Sequence, residues 1–589
     1  KVPFTTGILI GIGETRLERL ESLHKIAELH VTYNHIQEVI VQNFKAKPNT
    51  LMANASEPSF DELMWTIAMA RLILPGDISL QVPPNLNSDY IKQLSQSGIN
   101  DFGGISPVTK DYVNPEAPWP EIEKLNQIAS ISNQSLEPRA TLYPKYFTDL
   151  DTFSTPRISS KLLQITDSQS LIRSDFWRSG ISNKIPSYPD AVFNSSIRQT
   201  IKKVEKNPSI ENIQQLLEIS DNDFKYVTDY ANDVKSLIHG SDITFVINRN
   251  INYTNICSFK CNFCAFSKGR GHDDLRGKPY NISHEEIIRR TNEAVDRGAT
   301  EVCLQGGIHP KYSGETYLEI VKAIRSASPS IHIHAFSPLE IDHGRKTLNI
   351  STKEFLQELQ NAGLNSLPGT AAEILHDDIR EIICPDKLTS NQWIEIIETA
   401  HSIGLPTTST MMFGHIERTA HVAHHLLELL NLQKRTNGIT EFVPLPFVAD
   451  EAPIFRRGKA RPGPTFKETI LVHSVARILF QGQINNIQGS WVKMGLPGLK
   501  FLLSSGINDI GGVLMNESIT RSAGASFGQE LRLEEVVGIA NELNLKLHQR
   551  NTLYDSLNNN LQDLISLQSI PLISINNDYH QPKQLINIT

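Results

Sequence analysis

The chain has 589 residues, 39% hydrophobic and 20% charged, with a formal net charge of −8 and a pI near 6.2. This describes a globular protein of two or three domains rather than a disordered chain, and the acidic balance speaks against a nucleic-acid partner. No apolar run approaches the roughly 18 residues that span a bilayer, and the opening KVPFTTGILI shows no signal-peptide pattern.

Residues 1–150 alternate strand-like and helical patterns. Strands are expected at Thr5–Ile12, Glu38–Phe44, Ile78–Pro83 and Ile99–Gly104, with helices such as Thr15–Leu29 and Ser59–Leu74 between them. Such alternation predicts a parallel sheet covered by helices. Residues 151–239 read as a polar, partly helical connector, with amphipathic stretches at Ile210–Ile219 and Asp223–Leu237.

Next comes Cys257-Ser258-Phe259-Lys260-Cys261-Asn262-Phe263-Cys264, holding three of the five cysteines. In so long a chain this clustering indicates metal binding, not a disulfide framework. A loop with C-x3-C-x2-C spacing can aim three thiolates at three corners of an iron–sulfur cube, leaving one iron open. A structural zinc site would want a fourth ligand, and no second C-x2-C stands near. Cys303 and Cys384 lie far from the trio and read as small buried hydrophobes.

From the cysteine loop onward, strands are expected at Ile243–Thr254, Thr300–Gln305, Ile331–Phe336 and Leu364–Leu367. Thr407–Phe413, Glu441–Phe447, Ile484–Gln488 and Ile507–Gly511 follow. Eight strands separated by helices predict an α/β fold, a (β/α)8-type barrel over about 240–515 within a domain of 240–555. The loop after the first strand then sits on the catalytic face. Residues 556–589 are Asn/Gln-rich and read as a frayed tail.

The chain also repeats itself. TTGILIGIGET at 5–15 matches TTSTMMFGHIE at 407–417, EVIVQNF at 38–44 matches EFVPLPF at 441–447, and INDFGG at 99–104 matches INDIGG at 507–512. Order and spacing are both kept, which indicates a duplicated domain. The first copy aligns only with strands five to eight of the second. Its other strands and its cysteine loop are therefore expected upstream of Lys1, and half a barrel with open edges should be poorly stable alone.

Polar groups at the predicted strand ends, His334, Ser337, Glu340, Thr370, Glu373, His415, Gln488 and Trp491, would line a cavity mouth suited to a hydroxyl- and amide-rich substrate. Gln305-Gly306-Gly307 ends the second strand, where paired glycines let backbone approach a ligand. His421, His424 and His425 share a helical face among leucines, which favours surface or packing roles over a metal site.

C-x3-C-x2-C with Phe263 before its last cysteine resembles the signature of the radical S-adenosylmethionine enzymes. The resemblance implies a 4Fe-4S cluster on Cys257, Cys261 and Cys264, with S-adenosylmethionine on the open iron. It further implies contacts to that cofactor from Phe263, Gln305, Gly306 and Gly307, and from Gly414 and Glu417 beside the adenine. Gly11 and Glu14 are their counterparts in the first copy.

From about 209 to 555 the sequence is similar to the tyrosine-dependent module of the FO synthase family, which makes the deazaflavin chromophore of coenzyme F420. NRNINYTNICSFKCNFCAF, ATEVCLQGGIHP, LPGTAAEIL, STMMFGH, TEFVPLPFV and NNIQGSWVK carry that likeness. TTGILIGIGET and VIVQNFKAKPNT in residues 1–150 resemble the C-terminal part of the family's ring-closing module. This resemblance implies L-tyrosine and 5-amino-6-(D-ribitylamino)uracil as substrates, a donor such as ferredoxin or flavodoxin, and a cytoplasmic setting. The futalosine-pathway radical enzymes share the motif and barrel and form the alternative. A non-catalytic iron–sulfur protein, with four protein ligands, is the other.

Overall fold

The computed structural model describes residues 2–106, 108–131, 134–191, 194–267 and 279–573. It divides into two compact units, one running to Leu162 with Ser170–Ile172, the other comprising Leu163–Gln169 and the chain from Arg173.

In the first unit, β1 (Phe4–Ile10), β2 (Ile36–Asn43) and β3 (Ser79–Gln81) form a parallel sheet in that order. The helices between them start where the sequence supplies caps. Thr15 and Glu18 close a capping box on Arg16–Tyr33, and Ser59 caps Phe60–Ile73. Ile10, Leu23, Val39, Ile67 and Leu80 form the core. The predicted fourth strand, Ile99–Gly104, is reduced to one bridge between Gln81 and Asp101. Gly103, at φ +70°, turns the chain out of the extended region there.

In the second unit the predicted first strand is broken at Ile247 into β4 (Asp242–Val246) and β5 (Asn248–Asn252). β6 (Glu301–Gln305), β7 (His332–Ala335), β8 (Thr407–Phe413), β9 (Ile439–Pro446) and β10 (Asp509–Gly512) follow. The predicted fourth and seventh strands narrow to bridges. Ser366 and Leu367 link His334 to Thr407, while Ile487 and Gln488 link Phe442 to Asp509. β10 returns to pair with β4, so eight parallel positions close a ring. The strands alternate about that ring. Glu301, Cys303 and Gln305 of β6, and Thr408, Thr410 and Met412 of β8, face the interior cavity, while Val302 and Leu304 are buried in the outer layer.

Two expectations change here. The stretch expected as a connector is split between the units, and its helices Ser195–Lys206, Ile210–Leu217 and Asp221–His239 pack their apolar faces on the second unit through Ile201, Ile213, Leu216 and Phe224. The tail does not fray at 556. A short strand, β11 (Lys546–Gln549), pairs with β4, and the helix Leu561–Gln568 buries Leu564. The predicted tail beyond Ile573 lies outside the described residues. Among the described residues no helix is long and apolar enough to cross a membrane.

Candidate active site

The loop carrying the three cysteines is laced to its surroundings by backbone. Ser258 N–H donates to the Ile308 carbonyl at 2.8 Å, and Asn262 N–H to the Ile383 carbonyl at 2.7 Å. Ile454 N–H donates back to Asn262 at 2.8 Å. These bonds tie the loop to the segment after β6, to the end of the helix Asp377–Ile383 and to the segment after β9. All three thiols line one cavity of about 430 Å³ within the barrel. Ile308 N–H points at Cys257 Sγ and Ser267 N–H at Cys264 Sγ, both at 3.3 Å. Burial pushes the Cys261 and Cys264 thiols up, with Lys387 opposing at each.

The Gly306-Gly307 turn is a tight cradle. A Cβ at Gly306 would lie 2.3 Å from the Tyr253 ring, and one at Gly307 would lie 2.3 Å from the Ile256 carbonyl and 3.0 Å from Cys257 Cβ. Glu340 holds this turn, accepting from Gly306 N–H at 3.2 Å, from Ser337 N–H at 2.7 Å, and from the Tyr253 hydroxyl. Burial raises the Glu340 carboxyl, and these donors partly offset it. Ser337 and Glu340 thus line the cavity while bonding to each other.

The other expected residues divide. Phe263, Gln305, His334, Thr370, Glu373 and Gln488 line the cavity. His334 bonds Ser366 at 2.7 Å, and burial lowers its basicity. Glu373 pairs with Lys387 at 2.8 Å, and that ammonium stands 5.1 Å over the Phe263 ring. Gly414, His415, Glu417 and Trp491 are not in the lining. Glu417 is turned into its own loop, taking Gly414 N–H at 2.6 Å, His415 N–H at 2.9 Å and Arg461 at 2.8 Å. Burial alone would raise its carboxyl, but His415, Arg461 and the two amides hold it at about 2. Trp491 spends its indole N–H on the Gly512 carbonyl at 3.0 Å. Cys384 is buried as expected, whereas Cys303 opens on the cavity. His425 is buried and accepts Leu375 N–H at 2.9 Å, while His421 and His424 meet the His376 ring edge-on.

Several cavity residues were not anticipated from strand ends: Asn250, Glu301, Lys387, Glu441, Lys493, Glu517, Arg550 and Thr552. Asn250, Glu301 and Glu441 sit inside strands, where period-two alternation was the available signal, while the other five come from loops and a helix start. Asn250 Oδ1 and Thr370 Oγ1 are buried without a hydrogen-bond partner among the described residues, so the cavity offers an acceptor and a hydroxyl to a ligand. Residues 173–183, inside the expected connector, are sewn to the barrel loops. Arg173 donates to the Gly463 carbonyl at 2.7 Å, and Gly180 N–H to the Lys493 carbonyl at 2.7 Å.

The residues present fit the cluster and S-adenosylmethionine. Three thiols open on one cavity, amide N–H groups point at two of the sulfurs, and a glycine turn beside Cys257 has no room for a side chain.

Comparison with known proteins gives a consistent picture. The radical SAM superfamily model matches residues 251–430, and the CofH/MqnC C-terminal region model matches 436–561. The FO synthase of Mycobacterium leprae (strain TN) is 38% identical over 603 residues, covering 94% of this chain and 69% of that protein. The FO synthase of Nocardia farcinica (strain IFM 10152) is 39% identical over 612 residues, covering 94% and 70%. A Methanopyrus kandleri protein named 5-amino-6-(D-ribitylamino)uracil–L-tyrosine 4-hydroxyphenyl transferase is 47% identical over 325 residues, covering 55% of this chain and 87% of that one.

Proposed function

The chain belongs to the FO synthase family, and on that premise we propose that its second unit transfers the 4-hydroxybenzyl group of L-tyrosine to 5-amino-6-(D-ribitylamino)uracil. One pairing carries the reading: a 47%-identical relative named for that transfer, and a barrel cavity with polar side chains in its wall onto which three thiols open. Alignment over 94% of the chain favours an FO synthase over the futalosine-pathway and non-catalytic iron–sulfur readings.

When bound, the cluster and S-adenosylmethionine supply a 5′-deoxyadenosyl radical able to take a hydrogen atom from the amino group of tyrosine. The tyrosine Cα–Cβ bond would then break with loss of 2-iminoacetate, and the 4-hydroxybenzyl radical would add to the uracil ring. The adduct radical would give back one electron and one proton, balancing the electron spent on cleaving S-adenosylmethionine. The chain's own part is holding and shielding. Cys257, Cys261 and Cys264 would hold the cluster. Gly306 and Gly307 would admit the cofactor to close range, with Glu340 fixing their turn. Asn250 and Thr370 offer hydrogen bonds suited to a ribityl chain or a pyrimidine edge. Residues 173–183, bonded to the loops above the barrel, would help to exclude water.

A low-potential donor of the ferredoxin or flavodoxin class would deliver the electron, in a reducing compartment such as the cytoplasm. For the first unit we infer a part in ring closure, as the half-barrel repeat of the second. The test is anaerobic reconstitution, followed by incubation with tyrosine, the diaminouracil and S-adenosylmethionine. A coupled adduct and 5′-deoxyadenosine are expected. Cofactor cleavage without adduct would overturn the substrate assignment.

A further inference from the structure

Lys493 lies in the first turn of the helix Trp491–Leu503, directly after the seventh strand position. Its backbone is pinned on two sides. Its N–H donates to Ser490 at 3.1 Å, and its carbonyl accepts from Gly180 at 2.7 Å. Gly495, at φ +65°, breaks the helix just beyond, so this turn is a short rigid mount.

The other cations on the cavity wall have partners. Lys387 pairs with Glu373 at 2.8 Å, and Arg550 with Asp509 at 2.5 and 2.9 Å. The Lys493 ammonium has no hydrogen-bond or ion-pair partner among the described residues. Glu517 shares the wall, but its oxygens are taken by Thr520 N–H at 2.6 Å and Arg521 N–H at 3.3 Å. Glu517 therefore acts on the ammonium through space only; a desolvated cation with no direct partner is costly, and a ligand anion relieves that cost. We propose that Lys493 grips the carboxylate of the amino-acid substrate, fixing its orientation and selecting amino acids over amines.

This assignment rests on the tyrosine reading above. Burial pushes the Lys493 ammonium down to about 8, with Glu517 opposing, which leaves it mostly charged near neutral pH. The cysteine loop follows the first strand position, the glycine pair the second and Glu373 the fourth, whereas Lys493 follows the seventh. S-adenosylmethionine carries the other available carboxylate, and the experiment separates the two.

Isothermal titration of the reconstituted protein, loaded with S-adenosylmethionine and unreduced, compares L-tyrosine with tyramine, which lacks the carboxylate. Wild type should prefer tyrosine by about tenfold or more, the worth of a charge-assisted hydrogen bond. Lys493→Met should bind the two within about threefold, and Lys493→Arg should restore most of the preference. Cluster content and S-adenosylmethionine affinity should stay unchanged in both variants. Retained preference in Lys493→Met overturns the assignment and leaves the tyrosine reading standing. Loss of S-adenosylmethionine affinity with the preference intact gives the lysine to the other carboxylate and likewise overturns it. Equal binding of tyrosine and tyramine by wild type overturns it without any variant. A wild type that binds neither sinks the tyrosine reading together with this one.

Discussion

Arg139 in the first unit and Arg550 in the second make the same set of bonds. Arg139 reaches Asp101 at 2.5 and 2.9 Å and Glu38 at 3.2 Å, and its guanidinium lies 4.0 Å from the Tyr143 ring centroid. Arg550 reaches Asp509 at 2.5 and 2.9 Å and Glu441 at 3.2 Å, and lies 3.9 Å from the Tyr554 ring centroid. Tyr143 and Tyr554 each donate a hydroxyl to the glutamate of their own unit. The agreement continues at Arg71 and Arg477, which donate to the Gly98 and Gly506 carbonyls at 2.7 and 2.6 Å. It also holds at the Gly11-to-Glu14 and Gly414-to-Glu417 turns.

Depth is where the units differ. The Arg139 and Asp101 side chains are 21% and 11% exposed, against 3% and 0% for Arg550 and Asp509. One arginine has also moved. Glu417 is bridged to Glu468 by Arg461, from the loop before the helix Phe466–Leu479, while Glu14 is bridged to Glu62 by Arg19, from the helix after its own turn. The wiring of the half-barrel is common to both units, and burial sets how much each wire is worth. All five cysteines, finally, lie in the second unit.

The largest effect should come from that last asymmetry. Cys261→Ala should take 5′-deoxyadenosine formation by the whole chain to background, as read by chromatography after reduction. Turnover above background would mean radical chemistry outside the trio, and the units would then differ less than described. Next is the pair of arginines. Arg550→Met leaves Asp509 and Glu441 buried without their cation and should cost the second unit about 3–5 kcal/mol. Arg139→Met, in its wetter setting, should cost the first unit about 1–2 kcal/mol. Hydrogen exchange of β10 and β2 peptides in rising denaturant measures each. Equal costs would remove burial as the difference.

This pairing also shows what the sequence could tell. The barrel was legible because its strands, caps and turns are local signals, and the three repeated segments fall on β1 and β8, β2 and β9, and the bridges at Asp101 and Asp509. Arg-x-Thr-Leu-Tyr occurs at 139–143 and again at 550–554, so the arginine node too was readable from the repeat. The cysteine loop and the Gly306-Gly307 turn were legible because a ligand's approach constrains residue type at fixed spacing. Lys387, Lys493 and Glu517 were not, because barrel closure brings them to the cavity from distant loops. His415 and Trp491 misled for a related reason: a strand-end position does not say whether a polar side chain turns inward or is satisfied by nearby backbone, the Met412 carbonyl for His415 and the Gly512 carbonyl for Trp491.

The glycine turns give a smaller test. Gly11 and Gly414 have φ of +90° and +99°, and an added Cβ would meet Pro58 Cδ at 2.5 Å and Pro464 Cδ at 2.0 Å. Alanine at either should destabilise its own unit by about 1–3 kcal/mol, with Gly414→Ala at the upper end. Unit-resolved denaturation checks this. A silent Gly414→Ala would mean that Pro464 yields freely, and the two turns would not be equivalent.

The finest comparison is the pH response of the two turn carboxylates. Burial opposes ionisation of both, yet each is held at about 2. The Gly11 and Ile12 amides and Arg19 hold Glu14, and His415, Arg461 and the Gly414 and His415 amides hold Glu417. His415 is itself pushed down by burial, so at neutral pH Arg461 and the amides carry the second turn. Both carboxyls ionise more readily folded than unfolded, where the value is about 4.3. Each therefore stabilises its unit fully above that value and loses the contribution as pH falls toward about 2. Urea denaturation between pH 6 and 3 should show each unit weakening on the acid side. Glu14→Gln should flatten the slope of the first unit alone and Glu417→Gln that of the second alone, each by roughly 1.4 kcal/mol per pH unit at most. Since the two carboxyls are held alike, the two slopes should change by similar amounts despite the difference in burial. A change confined to Glu417→Gln would show that Arg19, reaching Glu14 from its own helix, does not replace Arg461 after all.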